Sequence, residues 1–85
     1  MNEFKRMTEV SSRLKNDKEI PKDMRLKYEL LNKELNSIGG NYEKLTDKIF
    51  AYRLLKNDSK SLSVFNELID LKHKLATPDP KNLFN

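Results

Sequence analysis

Cysteine is absent from this 85-residue chain, so neither a disulfide nor a thiolate-bound metal can hold it together. A secreted domain this small is commonly stapled by disulfides, and their absence points to a reducing compartment, the cytoplasm. Long hydrophobic runs are missing as well: nothing approaches the roughly 20 apolar residues that a membrane-spanning helix needs. Residues 1–16 alternate charges with single apolar residues and lack the continuous apolar stretch of a signal peptide, so export by that route is not expected. Glycine occurs twice and proline three times, only at places that read as punctuation between helical segments.

Histidine occurs once, at His73. Catalysis requires an activated nucleophile, an acid or base tuned to its working pH, or a held metal ion. His73 lies between Lys72 and Lys74, with Glu67, Asp70 and Asp79 as its nearest carboxylates in sequence. That set is too sparse for zinc, which usually takes three or more protein ligands, and a solvent-exposed histidine near a basic helix end is expected instead. The carboxylate pairs Glu67 with Asp70 and Asp17 with Glu19 have no cleft to separate their pKa values and read as surface charges. Gly39 and Gly40 precede a helix start, but the strand, the longer glycine pattern and the Lys-Ser or Lys-Thr of a phosphate-binding loop are all missing. No enzymatic activity, cofactor or metal is therefore expected.

What remains is a charged, patterned chain. Charged residues make up 35% and hydrophobic residues 36%, with 17 Lys+Arg against 13 Asp+Glu and a net charge of +4. This balance suits one narrow apolar core inside a heavily charged helical surface. Basic and acidic residues are interleaved, so the surplus identifies a partner only weakly, and binding to nucleic acid is not expected.

Four stretches carry helical periodicity. Phe4, Met7, Val10 and Leu14 form the first stripe, in a helix ending near Asn16 and Asp17. Pro21, welcome in a first helical turn, opens a second helix whose seam is Met24, Tyr28, Leu31, Leu35 and Ile38, widened by Leu26 and Leu30. Gly39 supplies the left-handed conformation that stops it. Asn41 then caps a third helix with Tyr42, Leu45, Ile49 and Tyr52 on its seam, flanked by Phe50, Leu54 and Leu55. Lys44, Lys48, Arg53 and Lys56 give that helix a partly basic outer face.

Ser61 or Ser63 offers the cap of a fourth helix carrying Val64, Leu68, Leu71 and Leu75, broadened by Leu62, Phe65 and Ile69. Tyr28, Tyr42, Tyr52, Phe4, Phe50 and Phe65 are all read as core. Pro78 and Pro80 forbid a regular helix beyond Ala76. Short connections leave successive helices side by side and oppositely directed. The expectation is an all-α antiparallel four-helix bundle over residues 1–76 with a short extended C-terminal tail over residues 77–85.

The stretch LLNKELNSIGGNYEKLTDKIFAYRLLKNDSKSLSVFNELIDLKHKL, Leu30 to Leu75, combines an apolar helix, a glycine break, a helix bearing Leu45 and Ile49, the Lys56-Asn57-Asp58 turn and the Ser61-Leu62-Ser63 opening of a last helix. In this it resembles the small immunity proteins that protect lactic acid bacteria against their own pediocin-like (class IIa) bacteriocins, the enterocin A immunity family. The resemblance covers the C-terminal half of the chain and, more loosely, the helix after Pro21. It implies an antiparallel four-helix bundle acting from the cytoplasmic side on the membrane components of the mannose phosphotransferase system, the bacteriocin's receptor, so that lethal permeabilisation is prevented.

The family attributes discrimination between bacteriocins to the last helix and tail. Transferred here, that implies partner binding by Lys72, His73, Lys74, Pro78, Lys81, Leu83 and Phe84. The first helix is shorter, and the tail briefer and richer in proline, than in many members. A monomer is expected, with the basic surplus favouring peripheral contact with an anionic membrane surface. The alternatives are a small basic nucleic-acid-binding regulator and a helical adaptor that pairs its seams with another protein.

Overall fold

A computed structural model of the chain describes residues 2–55 and 57–76. They form four helices, α1 (Asn2–Leu14), α2 (Lys22–Ile38), α3 (Tyr42–Leu55) and α4 (Ser59–Ala76), and among the described residues there is no strand. The expected tail, residues 77–85, lies outside the described residues.

Several helix ends fall where orphan backbone groups find a partner. α1 closes in tight turns, with Lys15 N–H donating to Ser11 C=O and Asp17 N–H to Leu14 C=O. Pro21 stands one place before α2, extended at φ −57° and ψ 149°, so it launches the helix instead of sitting inside its first turn. At the other end Gly39 is left-handed at φ 60° and its N–H returns to Leu35 C=O at 3.0 Å. The Asn41 side chain accepts Lys44 N–H at 3.0 Å and caps α3.

The cap of α4 is Asp58 and not Ser61 or Ser63: its carboxylate accepts the Ser61 N–H at 2.7 Å. That bond holds the Asp58 carboxyl below its ordinary pKa, as expected of a charged acceptor at a helix start. Asp58 precedes both serines and is as good a cap as either, so the helix starts one turn earlier than the serines suggest.

Gly39 is the position where the backbone itself makes the demand. A β-carbon there would meet nothing closer than Asn36 C=O at 3.9 Å, so an added methyl has room and the whole penalty is left-handed strain. Gly39→Ala is expected to lower stability by about 1 kcal/mol. An unchanged denaturation midpoint would show that the α2–α3 turn relaxes into another conformation.

Side-chain pairings fix the direction of the helices. Thr8 and Ser11 of α1 meet Asn32 of α2. Ser37 and Ile38 at the end of α2 lie against Lys44 at the start of α3, whereas Glu34, one turn earlier, pairs with Lys48, one turn later. Tyr42 and Ala76, at opposite ends of α3 and α4 in sequence, share a recess. Helices successive in sequence therefore run antiparallel, and α2 and α4, whose early turns meet at Lys27 and Glu67, run parallel. α2 and α4 touch each other and both remaining helices, while α1 and α3 do not meet. The cross-section is a rhombus with α2 and α4 on its short diagonal.

The core follows from that arrangement: Leu31, Leu35 and Ile38 of α2 and Val64, Phe65, Leu68 and Leu71 of α4 are buried between flanking Phe4 and Leu45, Ile49 and Tyr52. Three aromatic rings expected inside, Phe4, Tyr52 and Phe65, are buried, and Tyr28 packs half-buried against the core. Two are not: Tyr42 and Phe50 are exposed, Phe50 to 64%. α3 occupies an outer corner of the rhombus, so only the narrow stripe of Leu45, Ile49 and Tyr52 reaches the core. Phe50, one position from Ile49, is turned about 100° away from it.

Candidate partner-binding surface

The last two turns of α4 bring Lys72, His73 and Lys74 to the surface, but not to one surface. Lys72 and His73 border a shallow recess of about 330 Å³ between α3 and α4, together with Tyr42, Ile49, Arg53, Ile69 and Ala76. The Lys72 ammonium stands 5.9 Å from the centre of the Tyr42 ring, within reach of its negative face. His73 is exposed, so it keeps hydrogen-bonding capacity for a partner.

Lys74 is on the other flank of α4. Its ammonium pairs with Asp70, one turn back, at 3.1 Å, and it borders a second recess formed with Arg6, Met7 and Val10 of α1 and Tyr28 of α2. Consecutive helical residues diverge by about 100°, so three in a row cannot serve one flat contact. The structure thus assembles Lys72 and His73 with Tyr42 and Arg53, and separates Lys74 from them. Pro78, Lys81, Leu83 and Phe84 lie outside the described residues. Ala76, the last described residue before them, is at the edge of the Lys72–His73 recess.

Two polar clusters behind these surfaces were not legible in the sequence. Asn32, on the core side of α2, is 4% exposed. Its amide nitrogen donates to Thr8 C=O and to Ser11 Oγ, both at 3.1 Å. Its oxygen accepts the Lys15 ammonium and the Asn36 amide, both at 3.2 Å. Ser11, 1% exposed, donates in turn to Thr8 C=O. Asn32 directly follows Leu31 and does not lie on a seam of period 3.5, and that periodicity alone cannot reveal it.

The second cluster ties α2 to α3. Burial, followed by the neighbouring Glu34 carboxylate, pushes the Tyr52 phenol far above its ordinary pKa. Glu34 also pairs with Lys48 at 3.6 Å, so one of the basic residues expected on the outer face of α3 is committed within the fold. Among the described residues no three His, Asp or Glu side chains are grouped so as to hold a metal ion. No helix is long and apolar enough to cross a membrane, again among the described residues.

The fold and these surfaces define an antiparallel four-helix bundle with open recesses along its helix pairs. Comparison with models of known families, with curated proteins and with solved structures returned no match.

Proposed function

We propose that this chain is a bacteriocin immunity protein, acting in the cytoplasm on the membrane receptor complex of a pediocin-like bacteriocin and not on a chemical substrate. The observation that carries the reading is the recess at the end of α4, where Lys72 and His73 stand beside the exposed Tyr42 ring on the helix that the family resemblance assigns to recognition. Tyrosine and arginine, here Tyr42 and Arg53 of the same recess, are among the usual anchors of a protein partner. The four-helix architecture is the one the resemblance implies.

Expression in a sensitive bacterium, followed by challenge with a panel of pediocin-like peptides, tests the proposal. Protection against at least one peptide is expected, and Lys72→Glu combined with His73→Ala should raise sensitivity to that peptide about tenfold. Lys74→Ala, on the opposite flank, should leave protection unchanged. If no peptide loses potency against the expressing strain, the immunity reading fails. If deletion of Leu83 and Phe84 leaves full protection, the tail has no part in recognition.

A further inference from the structure

The charge surplus is not spread over the bundle. Residues 13–27, the end of α1, the turn and the start of α2, carry Arg13, Lys15, Lys18, Lys22, Arg25 and Lys27 against Asp17, Glu19 and Asp23. The end of α3 and the start of α4, at the same end of the molecule, add Arg53 and Lys60 against Asp58. Over all other described residues acidic side chains slightly outnumber basic ones.

Most of the acids at this end are also occupied. Asp17 accepts Glu19 N–H at 2.9 Å, Asp23 accepts Met24 N–H at 3.0 Å and Asp58 accepts Ser61 N–H at 2.7 Å. Arg13, Lys18, Lys22, Arg53 and Lys60 are all exposed.

The exposed apolar side chains gather at the same end. Of the seven large hydrophobic residues exposed among the described ones, Met24, Leu26, Leu54, Leu55 and Leu62 are there, with Leu54 at 73% and Leu55 at 58%. Met24, Leu26 and Lys27 of α2 border one recess with Ser59, Lys60 and Ser63 of α4, which places the two helix starts side by side.

We propose that this end of the bundle, the α1–α2 turn with the start of α2 and the last turn of α3 with the start of α4, docks on an anionic lipid bilayer. The basic side chains meet phosphate headgroups while the leucines enter the boundary between headgroups and acyl chains. The coincidence of the two features selects the occupant. A nucleic acid would satisfy the bases and leave Leu54, Leu55 and Leu62 in water. A second copy joined about a two-fold axis would set one positive end against another.

Docked this way, the bundle stands with Ala76 about 24 Å along α4 from Lys60. Lys72 and His73, near the opposite end of α4, then stand clear of the bilayer, free for a protein partner. The inference does not rest on the immunity reading, and its experiment contains neither receptor nor bacteriocin, so either proposal can fail alone.

The purified full chain is to be sedimented with phosphatidylcholine vesicles and with vesicles in which about one third of the lipid is phosphatidylglycerol, at low and high salt. Binding is expected to the anionic vesicles at low salt only. Lys18→Gln and Lys22→Gln should each raise the half-saturating lipid concentration about fivefold. Leu54→Ala with Leu55→Ala should raise it about tenfold, with an unchanged thermal midpoint showing that the fold is intact. Lys5→Gln, on an exposed lysine at the opposite end of the bundle, should leave lipid binding unchanged. Equal binding to neutral vesicles, no binding at low salt, variants that bind like the parent, or retention on duplex DNA with none on vesicles would each overturn the proposal.

Discussion

Leu35→Ala is expected to destabilise the protein by about 2–5 kcal/mol, the range for truncating a buried leucine whose site cannot collapse. Leu35 has no exposed surface and lies on α2, one of the two helices that contact all others. A cavity there is lined from several directions, and no single helix can shift to fill it without opening another contact. A domain of this length has only about 4–13 kcal/mol to lose. The guanidinium midpoint should therefore fall by about 1 M, and the thermal midpoint of the purified variant should fall with it. Leu54→Ala, on a leucine that is 73% exposed, should stay within about 0.5 kcal/mol of the parent. Equal losses for the two substitutions would contradict the placement of α3 on the outside of the bundle.

The second large effect is expected at Asn32. Asn32→Ala removes four hydrogen bonds from a buried site and leaves Ser11 Oγ without a donor, at a cost of about 2–3 kcal/mol. Part of that loss comes from the stranded serine and not from the bonds themselves. Ser11→Ala combined with Asn32→Leu converts the contact into an apolar one, and the pair should recover most of the stability, with strong non-additivity in the double-mutant cycle. The recovered protein would then report what the polar cluster contributes besides stability. With Asn32 gone, the register of α1 against α2 is left to apolar contacts such as those of Phe4 and Met7 and to the short α1–α2 turn. Broadened amide spectra in the double variant would show that the cluster selects one packing. An Asn32→Ala variant as stable as the parent would show that water replaces its bonds without cost.

These two residues also mark how far the sequence could be read. Leu35 follows Leu31 by one turn and precedes Ile38 on a seam of period 3.5, and such a residue is core in any bundle built from this helix. Asn32 looks like any other polar residue between leucines. It is buried because α1 crosses α2 at Thr8 and Ser11, two small polar residues that leave room for an amide and supply its acceptors. That crossing depends on how two helices meet, which neither helix encodes alone.

The candidate surface divides in the same manner. Exposure of His73 followed from the sequence, because the residue falls between lysines and off the Val64, Leu68 and Leu71 stripe. That Lys72 and His73 join Tyr42 and Arg53 while Lys74 turns to α1 depends on which helices flank α4. The basic, leucine-bearing end was visible only as scattered residues, since its two halves are separated in the chain by most of α2 and α3.

By itself the sequence determined the four helices, their breaks at Pro21 and Gly39 and in the polar stretch before α4, and the inner parts of the α2 and α4 stripes, because caps, breakers and periodicity act within a few residues, whereas Met24, Leu26 and Leu62 of those stripes are exposed. Tertiary structure alone decided how wide each stripe is. Central helices α2 and α4 bury broad faces, whereas corner helix α3 buries a narrow one and leaves Phe50, Leu54 and Leu55 outside. It also decided where the net positive charge collects. Charge has no local structural signature, and its distribution becomes a surface property only when antiparallel packing brings distant turns to one end.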